Sequence, residues 1–507
     1  MRGKKALVNV VAAYGNELVG VICGMILPRF ILSTFGSEYN GITSSISQFL
    51  FIINLLQGGI SAATRSALYK PLAENDKPLI SGIVRATEVL MLRLALVFSI
   101  GLLAVAVIYP FLVINTFDWF FTFTLVLIIG VSSVMQYCFG FTYRVLLTAD
   151  QRQVVVNVAQ MVTVVANTII AVVIIKRGGS IHLVKLGSAV VYSLNPILLR
   201  MYALRKYQID RKEAPQPDKI KQRWDAFTLQ VAQFVYTRSD VLILTIMTDL
   251  NHVSIYTVYN VITSGLRMVV TSIISSFGAA FGNMLAKSER ETIVENIDIS
   301  ELIVFSLSTI IYSTCAVMIV PFVMLYTKNV TDAEYYQASF GVMLTLSAMI
   351  SCYRTPYNTL IEAAGLFRET RNVAIFEACT NVVVSVALVK WLNLNGVVIG
   401  SIVSSIIRSI QYIYQISKHI VNRSMMAFLI RCLFSLLIFT GVIMVAHVLG
   451  LNAAEDFFKW VLNASIVFVI AVILVVLHNI VFYYRTSAIF VKKMVAIVKS
   501  DNKKKKA

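Results

Sequence analysis

Five charged residues lie inside long apolar runs, where a charge is costly. Arg65 stands near the end of one run, and Glu17 lies midway along the first. Arg238 and Asp240 share the stretch "FVYTRSDVLIL", and Arg267 lies in "ITSGLRMVV". A charge within hydrocarbon is unfavourable by a few kcal/mol unless it meets a partner, water or a ligand. Because the planar fork of arginine matches phosphate and carboxylate groups, the three arginines are candidate ligands of an anionic substrate. The two acids are candidates for coupling to an ion gradient.

Each of these charges also has a structural explanation, which is an ion pair that braces neighbouring helices. We favour that explanation for a further set of intramembrane charges: Arg93, Arg354, Glu362, Glu377 and Arg408. For Arg65, the alternative is a side chain that extends to the lipid headgroups. Arg238 and Asp240 are two positions apart, so they do not face each other on a helix. For Arg267, no neighbouring acid on the same helix offers a partner.

The sequence contains no recognisable motif of catalysis or metal binding. The five histidines are scattered over loops and helix ends, and no HExxH, P-loop or GxSxG motif occurs. The six cysteines lie in apolar segments without a CxxC pair, which is typical of small core residues. The sequence therefore predicts no catalytic residue, no cofactor and no metal site, and the protein is not expected to be an enzyme.

The elements that must position the charges are membrane-spanning helices. Of the 507 residues, 58% are hydrophobic and 14% are charged, and the mean hydropathy is +0.77. A soluble protein would carry about 25% charged residues. Apolar runs of about 20 residues are long enough to cross a bilayer. We predict an all-α polytopic membrane protein with about fourteen transmembrane helices, over residues 6–32, 42–64, 83–114, 117–147, 153–176, 181–206, 223–248, 253–283, 298–326, 333–363, 370–392, 396–420, 424–450 and 456–485.

The distribution of lysine and arginine predicts the orientation. With the N-terminus inside, 32 of the 44 basic residues fall on cytoplasmic segments, 7 on outer segments and 5 within the apolar runs. The positive-inside rule therefore predicts that both termini are cytoplasmic. It also explains the net charge of +18 and the basic tail, which we expect to face anionic lipid. Nucleic-acid binding is the weaker interpretation, and we predict no nucleic-acid partner.

The chain shows two similar halves. "FGSEYNGITSSI" opens the second predicted helix, and "LNHVSIYTVYNVI" opens the eighth about 213 residues later. Six helices, a linker and six more in the same orientation make a parallel repeat about an axis along the membrane normal. The predicted divisions are an N-terminal six-helix lobe, a cytoplasmic linker, a C-terminal six-helix lobe, two additional helices and a basic cytoplasmic tail, over 1–206, 207–222, 223–420, 421–485 and 486–507.

Small residues suggest where helices approach closely. Three pairs at helical spacing favour tight helix packing: Gly20 and Gly24, Gly278 and Gly282, and Gly396 and Gly400. The stretch "GITSS" has the same interpretation. In "LYKPLAEND", Pro71 and the charges after it are expected to mark the point where the second helix leaves the membrane.

The opening of the chain resembles the Wzx-type polysaccharide flippases of the multidrug/oligosaccharidyl-lipid/polysaccharide exporter superfamily. The matching residues are Pro28-Arg29, Phe35-Gly36, Gly58-Gly59 and Leu68-Tyr69-Lys70-Pro71-Leu72. The motifs cover about the first 80 residues, and the helix count and repeat extend the likeness over the whole chain. The resemblance implies two lobes around a central cavity, lined mainly by predicted helices 1, 2, 7 and 8. It also implies alternating access and a location in the bacterial plasma (inner) membrane.

The resemblance implies transport of an undecaprenyl-pyrophosphate-linked oligosaccharide from the inner to the outer leaflet, for surface polysaccharide such as O-antigen or capsule. Its partners would be this lipid-linked substrate, membrane lipids, an ion gradient and other polysaccharide-assembly proteins. Arg65, Arg238 and Arg267 would meet the pyrophosphate and acidic sugars. Two alternatives stay open. A drug/cation antiporter of the same fold would favour an acidic, aromatic cavity. A membrane glycosyltransferase or polysaccharide polymerase would need a large outer loop or an acidic metal motif, and neither is visible.

Overall fold

The computed structural model describes residues 2–54, 58–210, 212–216, 224–275 and 277–493. Its secondary structure over these residues is helical, with one π-helical turn at Gln136–Gly140. The α-helices are α1 Arg2–Phe35, α2 Ser37–Asn54, α3 Gly58–Glu74, α4 Lys77–Leu112, α5 Trp119–Met135, α6 Phe141–Ala149, α7 Gln153–Lys176, α8 Ile181–Tyr207, α9 Trp224–Met247, α10 Leu250–Ser275, α11 Phe277–Ala286, α12 Arg290–Tyr326, α13 Ala338–Tyr353, α14 Thr355–Ala364, α15 Phe367–Leu392, α16 Leu394–His419, α17 Met425–Val448 and α18 Phe457–Phe482.

The prediction of a polytopic helical membrane protein is confirmed. Each of the fourteen predicted segments coincides with one of these helices or with two consecutive ones. Eleven helical stretches among the described residues are long and apolar enough to cross a membrane. The predicted basic tail lies outside the described residues from 494 onward, as do residues 211 and 217–223 of the linker and its margin.

Two of the predicted segments are each divided into two α-helices at residues that the structure describes. Residues 117–147 form α5 and α6 with the π-helical turn between them, and residues 333–363 contain α13 and α14, which meet at Arg354. Pro356 stands at the start of α14, where its missing N–H carries no penalty. Both interruptions fall in the fourth helix of a predicted half. Discontinuous helices at matching positions are typical of transporter repeats.

The chain divides into two compact units, and each has its own apolar core. Unit 1 comprises Met1–Thr257 with Asn329–Ala333, and unit 2 comprises Val258–Lys328 with Glu334–Ala507. In unit 1, buried side chains of α2, α4 and α5 form an apolar cluster, with Phe98 and Tyr137 in contact. In unit 2, the core centres on α12 and α13, where Phe305 stacks on Tyr353 with ring centroids 4.0 Å apart.

Candidate anion-binding surfaces

The start of α2 is fixed by an acid from the loop between α12 and α13. The carboxylate of Asp332 accepts hydrogen bonds from the backbone N–H and the hydroxyl of Ser37, both at 2.6 Å. Gly36 makes this approach feasible, because it has a φ of +97° and a Cβ there would lie 2.5 Å from the Asp332 carboxylate. A negative charge at a helix start also satisfies free N–H groups.

The small-residue stretch of α2 packs against the end of α9 and the start of α10. The Asn40 amide donates to the Ser254 hydroxyl at 2.9 Å, and the Ser45 and Thr245 hydroxyls lie 2.8 Å apart. Gly41 is so close to the Leu250 carbonyl that a Cβ would lie 2.0 Å from its oxygen. The interpretation of "GITSS" as a packing motif is therefore confirmed.

Asn40 and Ser254 are also 214 positions apart, close to the offset of about 213 read from the two halves of the sequence. Equivalent positions of a repeat meet where its two-fold axis passes between them. The contact agrees with the repeat predicted from the sequence, which stays a prediction.

Arg238 lies on α9 at an exposed position beside α2. One Nη atom donates to the side-chain oxygen of Gln48 at 3.3 Å, and the guanidinium lies 5.3 Å from the centre of the Phe51 ring. Phe51 stacks in turn on Phe234, with centroids 5.4 Å apart. A neutral amide and an aromatic face hold the arginine in place while leaving its charge uncompensated. Within the described part of the chain, Arg238 forms no ion pair.

Asp240 is buried, with 5% of its surface exposed. Its carboxylate accepts a hydrogen bond of 2.7 Å from the Tyr256 hydroxyl of α10. The expectation that Arg238 and Asp240 point to different sides of their helix therefore matches the positions found.

Glu17 lies on an exposed stripe of α1. Tyr14 and Leu18 are neighbours on the same face, and Arg29 continues it towards the C-terminal end of α1. The opposite face of α1 packs on α7. The side chain of Glu17 is thus accessible midway along a helix whose flanking residues are apolar.

Arg65 is half-buried on α3, one turn before the fully buried Leu68. Pro71 lies inside α3, which continues to Glu74, so the expectation that this proline falls outside a helix is wrong. The exit of the helix from the membrane at this stretch stays a prediction. Proline removes one helical hydrogen bond. Leu68 and Leu72 on either side of it pack into an apolar cluster with α4, and that burial compensates for the loss.

Arg267 belongs to unit 2, whereas Arg65, Arg238, Glu17 and Asp240 belong to unit 1. It lies half-buried on α10, near enough to Tyr312 and Cys352 to interact with both electrostatically. The Tyr312 hydroxyl donates to the Thr263 carbonyl at 3.2 Å. Arg267 therefore has polar, uncharged neighbours on α12 and α13.

Other intramembrane charges form braces within unit 2. The carboxylate of Glu377 pairs with Arg354 and, at 3.4 Å, with Arg408. For these three residues the arrangement agrees with the bracing role favoured from the sequence. Arg93 and Glu362 form no ion pair with any described residue, so the bracing role is wrong for them. Sequence reasoning missed a second brace, in which Glu301 of α12 pairs with Arg423 and, at 2.8 Å, with Arg431 of α17. The count of basic residues treated both arginines as cytoplasmic, although Arg431 lies within the predicted span 424–450, and so the pairing was not considered.

Sequence reasoning also missed a polar cavity inside unit 1. It has a volume of about 250 Å³ and is lined by side chains of α5 to α8, among them Arg144. The sequence does contain uncharged polar residues inside apolar runs, for example Gln136 and Gln160. The search for functional residues considered only the charged ones, so the cavity was not predicted.

Comparison with solved structures identifies the fold. A lipid II flippase MurJ in an inward closed conformation superposes with a TM-score of 0.68 at 12% identity, covering 94% of this chain and 99% of that one. An inward-facing multidrug resistance MATE family transporter of the MOP superfamily gives 0.63 at 14% identity, with 81% and 98% covered. The MATE multidrug transporter DinF-BH gives 0.61 at 14%, with 83% and 96% covered.

No protein-family model and no curated protein sequence matches this chain. The similarity to the solved structures, at 12–14% identity, therefore concerns the fold. The protein is a multi-pass membrane protein with the fold of these flippases and transporters.

Proposed function

We propose that the protein is a flippase that moves an undecaprenyl-pyrophosphate-linked oligosaccharide from the inner to the outer leaflet of a bacterial plasma membrane. The observation that carries this proposal is that Arg238 forms no ion pair with any described residue. Arg354, Arg408, Arg423 and Arg431 all pair with acids, whereas Arg238 is held by an amide and an aromatic ring. An exposed arginine without an acidic partner can bind an anionic ligand, and a pyrophosphate group carries the negative charge that such binding needs.

In this proposal the lobes alternate between inward-facing and outward-facing states. Arg65, near the cytoplasmic end of its predicted span, would receive the pyrophosphate, and Arg238 and Arg267 would contact it at later stages. Glu17 and Asp240 would couple the cycle to an ion gradient. With both termini predicted to be cytoplasmic, Arg65 would lie near the inner leaflet, which is where the proposed substrate would enter.

The extent of the structural similarity supports a flippase over a multidrug transporter. The lipid II flippase covers 94% of this chain, and the two multidrug transporters cover 81% and 83%.

A drug/cation antiporter of the same fold is the second candidate. One observation favours it, which is the accessible carboxylate of Glu17 beside Tyr14 on α1. An acid with an aromatic neighbour suits an organic cation.

The test is transport in proteoliposomes of a fluorescent saccharide linked to undecaprenyl pyrophosphate, together with a gene deletion in the cell. We expect transport by the wild type, and loss of most transport in Arg238→Ala. Arg93→Ala is the matched control, because Arg93, on α4, is another exposed intramembrane arginine without an ion pair to any described residue. Deletion should leave a lipid-linked oligosaccharide on the cytoplasmic leaflet. Efflux of a cationic dye with no effect on the lipid-linked sugar would instead establish the antiporter.

A further inference from the structure

The cavity in unit 1 lies between four helices, is open on one side and has a polar wall. α5 contributes Ser132 and Ser133, α6 contributes Arg144, and α7 contributes Gln160. Its volume of about 250 Å³ would hold roughly eight water molecules at about 30 Å³ each. A cavity that is merely a packing defect in a membrane protein is lined by apolar groups, and this one is not.

The backbone is irregular on two sides of the cavity. The π-helical turn begins at Gln136, which lines the cavity. On α8, Pro196 cannot donate to the carbonyl of Tyr192, four residues earlier, and Tyr192 also lines the cavity. Gly140 lets the two irregular segments meet, because a Cβ there would lie 2.6 Å from Pro196. π-Helical turns within α-helices are frequent at functional sites.

Two polar groups at the cavity lack protein partners. The Nε of Arg144 is buried and has no hydrogen-bond acceptor among the described residues, and the arginine forms no ion pair with them. Asn195 is 3% exposed; its amide nitrogen donates to Thr163 at 2.9 Å, but its side-chain oxygen has no partner in the same part of the chain. Leaving a buried N–H group of a guanidinium without an acceptor is costly, so a ligand that supplies an acceptor would be favourable.

We propose that this cavity binds an oxyanion of phosphate size, with Arg144 as its charged ligand. The remaining wall groups are hydroxyls and amides, which can donate to the other oxygens of such an ion. No acid lines the cavity among the described residues, so its charge is complementary to an anion and not to a cation. The source of the phosphate group is either free phosphate or the headgroup of an anionic lipid. The site is separate from Arg65, Arg238 and Arg267, and it does not depend on the proposed transport activity.

The test uses the full chain purified in a non-ionic detergent. Sodium phosphate is titrated against sodium chloride at constant ionic strength while thermal unfolding is followed. Binding to the folded state raises the melting temperature in a saturable way. The same measurement in nanodiscs of phosphatidylcholine, with and without phosphatidylglycerol, separates the two sources. A rise with phosphate identifies free phosphate, and a rise seen only with phosphatidylglycerol identifies a lipid headgroup.

We expect the melting temperature of the wild type to rise in a saturable way, and we expect this rise to be lost in Arg144→Gln. Arg200→Gln is the matched control, because Arg200 is a neighbouring cation on α8 that stacks on Phe139, 5.2 Å from its ring centre. The Arg200→Gln variant should show the same saturable rise in melting temperature as the wild type. If Arg144→Gln does not fold, Gln160→Ala removes one wall group and should weaken binding roughly fivefold, as expected for one lost hydrogen bond. An absence of any saturable rise in the wild type would overturn the proposal, as would an equal rise in Arg144→Gln or in Gln160→Ala.

Discussion

At the scale of single residues, the intramembrane arginines fall into two groups that differ in their partners. Arg408 and Arg431 pair with buried acids, Glu377 and Glu301. Removing one partner of a buried pair leaves the other charge uncompensated, which typically costs about 3–5 kcal/mol of stability. Arg238 and Arg144 have no ion pair among the described residues. Their substitution should affect binding more than folding.

Arg267 tests this distinction in unit 2. If it contacts the anionic substrate, Arg267→Ala should insert and fold but lose most export, and Arg267→Lys should keep a part because the charge survives without the fork. Export of the surface polysaccharide is measured beside a melting curve of the purified protein. Tyr312→Phe removes the hydroxyl of a polar neighbour of Arg267 and serves as the control for a bracing role. Normal export by Arg267→Ala would contradict the binding role, and a fall in melting temperature shared with Tyr312→Phe would identify a brace.

Glu38 and Asp249 should give opposite pH dependences of stability at the start of α2. Partial burial, and then the nearby charges of Asp332 and Asp249, raise the pKa of Glu38 above its usual 4.5. The stabilising contribution of a group with a raised pKa is present below its unfolded pKa and is lost as pH rises through the folded pKa. The hydrogen bonds from His252 lower the pKa of Asp249 below 3.8. Its contribution is present above the unfolded pKa and is lost as pH falls through the folded pKa.

Melting temperatures between pH 4 and pH 7 measure both effects. We expect Glu38→Gln to melt higher than the wild type at pH 7 and at the same temperature at pH 4. Asp249→Asn should melt lower than the wild type at pH 7, with a smaller difference at pH 4. A parallel shift of either variant at all pH values would contradict the assigned pKa directions.

At the scale of elements, the glycine pairs show where helices approach each other and where they do not. Gly396 and Gly400 of α16 lie against the backbone of α15, where a Cβ would come within 2.6 and 2.2 Å of other atoms. A Cβ added at Gly20 or Gly24 of α1 would meet no described atom within 4 Å, so the packing interpretation is wrong for that pair. Spacing along a helix cannot distinguish the two cases, because the neighbour comes from a distant part of the chain.

Gly41 gives the sharpest test of a close approach. A methyl group there would lie 2.0 Å from the Leu250 carbonyl oxygen, so α2 would have to move away from α10. We expect Gly41→Ala to destabilise the protein by about 1–3 kcal/mol, as overpacking typically does. Gly20→Ala is the control and should be neutral or slightly stabilising, since Ala is the better helix former. Equal melting temperatures for the two variants would contradict the close packing of α2 on α10.

At the scale of the whole molecule, the fold is that of flippases and multidrug transporters, and the basic residues predict its orientation. In a background without native cysteines, a cysteine at Glu455 should react with an impermeant thiol reagent outside intact cells. A cysteine at Lys70 should not react. Both side chains are well exposed, at 85% and 82%, so accessibility to solvent is matched. Labelling at position 70 and protection at position 455 would reverse the orientation.

The sequence by itself determined the membrane location, the fourteen helical segments and the packing role of "GITSS". These follow from hydropathy, chain length and residue size, which are local properties. It also indicated that Arg238 and Asp240 point apart, because helical spacing alone decides that.

Only the tertiary structure decided which charges are paired. Glu301 and Arg431 are 130 positions apart, and the acid that fixes the start of α2 is 295 positions from Ser37. The cavity at Arg144 arises where a π-helical turn, a proline and four helices meet. Whether a charge in an apolar run is a brace or a binding residue depends on partners brought close by folding. No pattern within one helix contains that information.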